Sequence, residues 1–228
     1  MSFIRTTVTA CDARPIDPTH QWEIPERDVA RHLQRRGRVH AYGTVDPATT
    51  ALVVVDLVTF FVETTTYAPG IVAPVNRLAG ATRAAGGVVA WVRPSVGPPR
   101  PWAVEFLGPT VAEAYAGSGD ALWPGLDVRP DDLRTVKTAP SALFPGRSDL
   151  DEQLRAAGVD TVLVCGTVTN VCVEATARDA ATLGYRTIVV GDACAGVDDA
   201  SHAATLRTIY RSYGDVRRVA EVEALLHA

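Results

Sequence analysis

The chain has 228 residues, of which 47% are hydrophobic, and a formal net charge of −4 at pH 7. This length and apolar content allow a substantial core, most simply as one α/β domain with elaborations, and the negative charge argues against a general nucleic-acid binder. With no apolar run near about 18 residues and no secretion-signal core, we expect a cytoplasmic protein without a membrane partner. The four cysteines lack disulfide-scaffold or zinc-site spacing, so we expect free thiols and no metal.

Residues 1–47 do not follow the strand and helix alternation of the rest of the chain. We interpret them as an N-terminal extension that packs on the domain or on a neighbouring subunit. Its one helical pattern, at residues 27–38, is rich in Arg and carries Val29 and Leu33 at helical spacing. This pattern indicates a solvated amphipathic helix rather than a phosphate-binding arm. The main domain is then expected over residues 48–228.

From residue 51 onward, apolar strand patterns alternate with helical patterns. The predicted strands are 51–55, 87–92, 134–137, 161–165, 187–190 and 216–219. The predicted helices are 71–85, 149–157, the segment after Cys172, and 199–213. Such alternation is typical of a parallel sheet with crossover helices, and right-handed crossovers put helices on both faces of the sheet. We therefore expect an α/β fold.

The connection from residue 94 to residue 132 is rich in Pro and Gly, yet it contains large apolar side chains. These are Trp102, Phe106, Leu107 and Trp123. A connection this long in a compact domain is usually functional, and it leaves the carboxyl end of a strand, where open α/β sheets bind ligands. Its aromatic residues are therefore candidates for a substrate lid. The alternative is that Trp102 and Trp123 anchor the loop to the core.

Three residues with acid, base or nucleophile chemistry stand at the ends of predicted strands. Asp56 directly follows the first strand, Lys137 closes the third, and Cys172 follows the fourth. Because the carboxyl ends of parallel strands share one edge, the three side chains can converge on one crevice. Each also has an ordinary explanation: a thiol packed behind the sheet, a carboxylate satisfying backbone N–H groups, and an exposed ammonium.

The turn at residues 166–174 leads from an apolar strand into a helix. With Thr169 as the N-cap, Cys172 occupies the third helical position, where free N–H groups and the helix dipole favour an anion. We therefore expect a lowered pKa for the Cys172 thiol. Asp56 would take the thiol proton, and Lys137 would steady both the carboxylate and the thiolate. None of the five histidines adjoins a predicted strand end, which supports Asp56 as the base.

Three motifs carry a resemblance to a known family. They are Val53-Val54-Val55-Asp56, the segment 137–144 (Lys-Thr-Ala-Pro-Ser-Ala-Leu-Phe) and, most specifically, the segment 166–180 beginning Gly-Thr-Val-Thr-Asn-Val-Cys. In this order and spacing the chain resembles the isochorismatase-like cysteine hydrolases, which include nicotinamidases, N-carbamoylsarcosine amidohydrolases and ureidoacrylate amidohydrolases. The resemblance covers roughly residues 48–222.

The resemblance implies a three-layer, Rossmann-like fold with a largely parallel six-stranded sheet and a homo-oligomer, either a dimer or a tetramer. It implies a catalytic triad of Asp56, Lys137 and Cys172. It also implies a cis peptide bond between Thr167 and Val168, which would turn the N–H of Val168 beside that of Cys172 to form an oxyanion hole.

The chain departs from the family pattern near the predicted site. The family commonly has a Gln soon after the catalytic aspartate, and this chain lacks it, although Phe61 stands at the usual aromatic position. The Asp and His cluster that binds metal in nicotinamidases has no counterpart after residues 91–95. We predict Phe61, Arg93, Trp102 and Thr167 as substrate contacts and expect no cofactor. Arg93 suits a substrate carboxylate or carbonyl, or it is an exposed structural arginine.

The leading hypothesis is a hydrolase that cleaves a C–N bond of a small-molecule amide or carbamoyl compound through a thioester acyl-enzyme. One alternative is an isochorismatase-type vinyl-ether hydrolase. The resemblance implies that enzymes of this branch work by protonating the substrate and typically lack the cysteine. The other is a catalytically inactive scaffold or binding protein. The presence of Cys172 argues against the vinyl-ether hydrolase. The presence of Asp56, Lys137 and Cys172 together argues against an inactive scaffold.

Overall fold

The computed structural model describes residues 19–98, 101–117 and 120–228, except for the side chains of residues 102, 103 and 107. The strands are β1 (Thr50–Val55), β2 (Val88–Pro94), β3 (Leu133–Lys137), β4 (Thr161–Thr167), β5 (Arg186–Ala195) and β6 (Asp215–Arg217). All pair in parallel in the order β3-β2-β1-β4-β5-β6. The predicted α/β fold with a parallel six-stranded sheet is confirmed.

Helices cover both faces of this sheet. They are α1 (Glu26–Arg36), α2 (Thr59–Thr64), α3 (Ala68–Ala84), α4 (Pro101–Leu107), α5 (Pro109–Gly117), α6 (Leu150–Ala156), α7 (Glu174–Thr182), α8 (Asp199–Ser212) and α9 (Val219–Leu226). The chain crosses the sheet in opposite directions through α3 and α7, so right-handed crossovers place these two helices on opposite faces. Helix α9 packs beside α3, and α8 packs beside α7. Among the described helices, none combines the length and apolar content that a membrane span requires.

Four of these helices were not predicted from the sequence. Helices α2 and α9 are short, and α4 and α5 lie in the Pro-rich and Gly-rich connection that we expected to be a loop. Pro101 and Pro109 are the first residues of α4 and α5. Proline suits that position because its φ is already near the helical value and its missing N–H has no helical partner there. The prolines therefore start helices in this segment.

The two central strands bring the predicted site residues to one edge of the sheet. Every residue of β1 and of β4 is buried, as expected for parallel strands covered on both faces. At their carboxyl ends, Val55 of β1 pairs with Val92 of β2 and with Gly166 of β4. The residues that follow β1 and β4 therefore emerge side by side.

The described part of the N-terminal extension packs on this same domain. Arg207 of α8 donates a hydrogen bond to the Asp28 carboxylate at 2.6 Å, and the His32 ring lies 3.1 Å from the main-chain oxygen of Tyr210. The helix predicted at residues 27–38 is present over Glu26–Arg36, and its side chains Arg27, Arg31 and Arg35 are exposed, as expected for a solvated face. Asp28 and His32 are buried, whereas Leu33 is 45% exposed, because α8 supplies partners for the two polar side chains. The boundary at residue 47 stays a prediction.

Gly166 is a position where the backbone of β4 tolerates no side chain. Its φ is +112°, and a Cβ there would lie 2.1 Å from the carbonyl oxygen of Val55. We expect Gly166→Ala to lower the free energy of unfolding by about 3 kcal/mol or more, through backbone strain and the clash with β1. Urea denaturation measures this change.

The matched control is Gly80→Ala, because Gly80 lies within α3 and an added Cβ there meets nothing within 4 Å. Alanine is the better helix former, so this variant should keep or slightly exceed the wild-type stability. Equal stability of Gly166→Ala and the wild type would contradict the close approach of β1 and β4.

Candidate active site

Asp56, Lys137 and Cys172 meet in one buried site at the carboxyl edge of the sheet. The Lys137 Nζ lies 2.8 Å from an Asp56 carboxylate oxygen and 3.5 Å from the Cys172 Sγ. It also donates a hydrogen bond to the main-chain oxygen of Ala139 at 3.1 Å. The three residues are only 0%, 4% and 8% exposed, in chain order. Their charges therefore interact with little screening by water.

Lys137 is also singled out by composition. It is the single lysine among the 22 Lys and Arg residues of the chain. An ammonium is a compact charge with three donors, whereas a guanidinium is a wide, planar fork. The ammonium is thus able to reach a carboxylate, a sulfur and a carbonyl from one point.

The backbone of Asp56 has an unusual conformation at the end of β1. Asp56 has a φ of +52°, which is uncommon for a residue with a side chain. Its N–H donates to the Val92 carbonyl at 3.0 Å, and its own carbonyl accepts a hydrogen bond from the Thr167 hydroxyl at 2.6 Å. These contacts with the two neighbouring strands hold the unusual conformation.

Cys172 lies in a π-helical turn, Thr169–Val173, between β4 and α7. The peptide bond between Thr167 and Val168 is cis. The predicted N-cap at Thr169 is wrong, since the turn and α7 have no side-chain cap. The Thr169 hydroxyl instead forms a hydrogen bond of 2.9 Å with the Nδ1 of His202, in α8. Single π-helical turns of this kind are frequent at functional sites.

The predicted lowering of the Cys172 pKa is also wrong. Burial raises the pKa of the Cys172 thiol to about 12, and the charge of Asp56 adds to this rise while that of Lys137 opposes it. The physical reason is that Cys172 is almost inaccessible and adjoins a carboxylate, which disfavours a second negative charge. The resting site therefore holds a protonated thiol rather than a stored thiolate.

Burial also changes the proton affinity of the other two groups. It raises the pKa of Asp56, against the opposing charge of Lys137 and hydrogen bonds from Lys137 and Cys172. Burial lowers the pKa of Lys137, but the charges of Asp56 and Cys172 outweigh this, so the net shift is upward and the ammonium is retained. A carboxylate with a raised pKa is a stronger base toward a neighbouring thiol.

Aromatic rings from α2 and α5 lie close to this site. The Tyr115 ring lies 5.4 Å from that of Phe60 and 5.9 Å from that of Phe61, measured between centroids. Burial raises the pKa of Tyr115, and the charges of Asp56 and Cys172 raise it further. The Tyr115 hydroxyl is therefore within electrostatic reach of both. Sequence reasoning missed Tyr115, whose only signal was a lone aromatic in an Ala-rich stretch.

The other predicted substrate contacts are Arg93, Thr167 and Trp102, of which Arg93 and Thr167 lie in different surroundings. The Arg93 guanidinium pairs with the Asp120 carboxylate and lines a surface groove with Val136. The fully buried Thr167 donates its hydroxyl to the Asp56 carbonyl. The side chain of Trp102 lies outside the described part of the chain. Substrate contacts by these residues stay predictions.

The structure also places Phe106 and Trp123 of the 94–132 connection and three of the four cysteines. Trp123 packs half-buried against the hydrophobic core, in agreement with an anchor, and Phe106 is 81% exposed. Cys165, Cys172 and Cys194 are free thiols, and Cys11 lies outside the described residues. Over the described ranges, no group of three or more His, Cys, Asp or Glu side chains is arranged to hold a metal ion.

The His202 side chain makes the folded protein sensitive to acid. It is fully buried, and burial lowers its pKa from 6.5 to about 3. Between these values the unfolded chain binds a proton that the folded protein does not, so this contribution to stability is complete above pH 6.5 and is lost as the pH falls. We expect His202 alone to lower the free energy of unfolding by about 1.4 kcal/mol per pH unit in this window.

Urea denaturation between pH 7 and pH 5 checks this expectation. His202→Gln should show a shallower loss of stability with acid than the wild type. His227→Gln is the control, because His227 is exposed near the carboxyl terminus. A slope for His202→Gln identical to that of the wild type would contradict a buried neutral imidazole.

A carboxylate, an ammonium and a thiol thus lie together at one edge of a parallel α/β sheet. The family model described as the isochorismatase domain matches residues 50–221. The chain belongs to the isochorismatase family.

Two curated relatives illustrate this membership. The uncharacterised isochorismatase family protein YwoC of Bacillus subtilis is 41% identical over 114 residues, which cover 47% of this chain and 59% of YwoC. The ureidoacrylate amidohydrolase RutB of Methylobacterium radiotolerans is 33% identical over 214 residues, which cover 80% of this chain and 81% of RutB. The similarity to RutB thus extends over most of both proteins.

Solved structures show the same fold. A cysteine hydrolase from Pseudomonas syringae pv. phaseolicola has a TM-score of 0.74 and 30% identity, over 82% of this chain and 97% of its own. The N-carbamoylsarcosine amidase of Thermoplasma acidophilum has a TM-score of 0.64 and 32% identity, over 75% of this chain and 96% of its own. In both cases the superposition with this chain extends over nearly the whole length of the solved structure.

Proposed function

We propose that this hydrolase cleaves a C–N bond of a small-molecule amide or carbamoyl compound, with Cys172 as the nucleophile. The observation that carries the proposal is the position of the Lys137 Nζ, at 2.8 Å from the Asp56 carboxylate and 3.5 Å from the Cys172 Sγ. A base, a cation and a thiol in mutual contact, shielded from water, are the parts that covalent acyl transfer needs.

The reaction starts from the protonated thiol. As the Cys172 sulfur attacks the carbonyl carbon, the Asp56 carboxylate takes the thiol proton, the C–S bond forms, and the carbonyl electron pair moves onto oxygen. The Lys137 ammonium stabilises the negative charge as it passes from Asp56 to sulfur. The new oxyanion is received by the backbone N–H groups of Val168 and Cys172, which act as its oxyanion hole.

Two further steps return the enzyme to its starting state. Asp56 donates its proton to the leaving nitrogen as the C–N bond breaks, which releases an amine or ammonia and leaves a thioester on Cys172. Water then attacks the thioester carbon while Asp56 takes a proton from the water, and the C–S bond breaks with its electron pair returning to sulfur. The acid product leaves, and the proton returns to the sulfur. No cofactor enters any of these steps.

The names of relatives support this class of substrate. RutB is named a ureidoacrylate amidohydrolase, and the Thermoplasma acidophilum structure is named an N-carbamoylsarcosine amidase. Both names describe hydrolysis of an amide or carbamoyl compound. The vinyl-ether alternative receives less support, because that reaction needs no nucleophile and gives the Cys172 thiol beside Asp56 no catalytic role.

A panel of substrates tests the proposal. The purified protein is mixed with primary amides, N-carbamoyl amino acids and ureido acids, and ammonia release is followed with a coupled assay. A vinyl ether such as isochorismate serves as the competing substrate. We expect ammonia from at least one carbamoyl or amide compound. Hydrolysis of the vinyl ether alone, with every amide inert, would overturn the proposal.

Tyr115 is proposed to contact the bound substrate together with Phe61. We expect Tyr115→Phe to raise KM about tenfold with kcat within about twofold, since it removes one hydroxyl hydrogen bond and keeps the ring. Steady-state kinetics with the best amide of the panel measures both constants. The control is Tyr185→Phe, whose hydroxyl binds Asp151 away from the site. Unchanged KM and kcat in Tyr115→Phe would contradict the contact.

The proposal extends to the state of the enzyme in solution. The family resemblance supports a homo-oligomer, either a dimer or a tetramer, and a cytoplasmic enzyme. Light scattering coupled to size-exclusion chromatography measures the molar mass, and a mass of one chain would contradict the oligomer.

A further inference from the structure

His20, in the N-terminal extension, is buried against the main domain. Its side chain is 2% exposed. The ring is stacked between two others: its centroid lies 3.7 Å from that of Tyr67, at an interplanar angle of 29°, and 4.1 Å from that of His202, at 13°. The ring therefore lies between Tyr67, the residue that precedes α3, and His202 of α8, and both are far along the chain from His20.

Both ring nitrogens of His20 have partners. The N–H of Gly196, in the loop between β5 and α8, donates to the Nε2 at 2.8 Å. The Nδ1 lies 2.7 Å from the carboxylate of Asp199, the first residue of α8. Because the Nε2 must accept, the proton of the neutral ring is on the Nδ1 and is donated to Asp199. His20 thus links the loop at Gly196 to the first residue of α8 through two hydrogen bonds.

The groups that His20 holds also hold the turn that carries Cys172. The stacked ring of His202 forms the 2.9 Å hydrogen bond with the hydroxyl of Thr169, the first residue of that turn. Gly196 lies against the same side chain, since a Cβ on Gly196 would be 3.4 Å from the Thr169 Oγ1. His20 therefore contacts two of the supports behind the nucleophile.

We propose that His20 is a positioning residue for Cys172. It holds the Gly196 loop and the His202 ring, and through them it fixes the π-helical turn in the geometry that brings the sulfur to Asp56 and Lys137. The proposal rests on the proposed function in taking Cys172 as the nucleophile. In this proposal the N-terminal extension supports the active-site geometry through His20.

A second histidine of the extension provides a matched control. The Nδ1 of His40 lies 3.0 Å from the carboxylate of Asp215, so His40 also ties the extension to the domain through an aspartate. Asp215 is the first residue of β6 and stands at the amino edge of the parallel sheet, opposite the site. Loss of His40 therefore reports the cost of loosening the extension without disturbing the turn.

The experiment compares His20→Phe with His40→Phe in the full chain. Phenylalanine at position 20 keeps an aromatic ring for stacking but removes both hydrogen bonds. Two readouts are measured: kcat and KM with an amide substrate, and hydrogen–deuterium exchange of the peptide spanning residues 166–174. For His20→Phe we expect kcat to fall about tenfold with KM within twofold, because small displacements of reacting atoms cost rate. Exchange in the peptide should become about tenfold faster.

His40→Phe should change neither readout, and His20→Gln, which keeps one donor and one acceptor, should recover part of kcat. Asp199→Asn supplies a second variant if His20→Phe does not fold, with a smaller effect in the same direction. Unchanged kcat and exchange in the His20 variants, or equal effects in His40→Phe, would overturn the proposal. If the wild type hydrolyses no amide, the proposed function fails, while the exchange measurement still decides whether His20 positions the turn.

Discussion

Cys172→Ala is expected to lower kcat for amide hydrolysis by about four orders of magnitude or more. Among the residues that the structure describes, Cys172 is the one thiol that contacts Lys137, and removal of a nucleophile from a catalytic triad has an effect of this size. The fold should survive, since the change removes one small buried atom. Ammonia release under saturating substrate measures the loss, and circular dichroism checks the fold.

The control is Cys194→Ala, because Cys194 is a buried free thiol of β5. Its Sγ lies 4.0 Å from the Val164 carbonyl oxygen. This variant should keep kcat within about twofold. Full turnover by Cys172→Ala would show that the sulfur is not the nucleophile and would reopen the protonation mechanism.

Lys137→Met is expected to lower kcat by about three orders of magnitude and to destabilise the fold by about 3 kcal/mol or more. The variant leaves the Asp56 carboxylate buried without the cation that lies 2.8 Å away in the wild type. Asp56 then becomes harder to ionise, so its pKa rises further. Because the reaction needs the carboxylate, the acid limb of the kcat/KM profile should move to higher pH.

Kinetics as a function of pH and urea denaturation measure the two effects separately. Lys137→Arg is the matched variant, since it keeps the positive charge but presents a wide guanidinium in place of a compact ammonium. It should keep more of the stability than Lys137→Met while remaining a poor catalyst. A Lys137→Met enzyme with wild-type kcat and an unmoved acid limb would contradict the role of the ammonium.

Much of the fold, and the meeting of Asp56, Lys137 and Cys172 at one edge of the sheet, could be predicted from local sequence patterns. The run of residues 51–55 is apolar throughout because β1 is buried on both faces, and the next residue, Asp56, must then stand at the strand end. The same reasoning places Cys172 after β4. Since all strands are parallel, these ends share one edge, and convergence with Lys137 follows from topology alone.

Features that depend on distant contacts were beyond such reasoning. Thr169 has the composition of an N-cap, but the ring of His202 takes its hydroxyl. Cys172 was expected to have a low pKa from its position near a helix start, yet its burial beside Asp56 dominates. The helix at residues 27–38 was predicted, but the burial of its Asp28 and His32 side chains depends on α8. In each case a residue far away in the chain decides the outcome.

The same limit explains the residues that were missed. The ring of Tyr115, in α5, packs against Phe60 and Phe61 of α2, and it belongs to a segment whose prolines suggested a loop. His20 lies outside the region that resembles the family, and its partner Asp199 is 179 residues away in the chain. Neither residue has a local pattern that marks it. Both become visible when the tertiary contacts are known.

Covalent attack by Cys172 is tested by mass spectrometry of the enzyme quenched in acid during its first turnover of an amide substrate. We expect an added acyl mass on the peptide that contains Cys172, absent from the peptides with Cys165 and Cys194, and decaying as product forms. Hydroxylamine should divert this thioester to a hydroxamate. Turnover at the full rate with no acyl mass on Cys172 at any time, and no hydroxamate, would show that Cys172 is not the nucleophile.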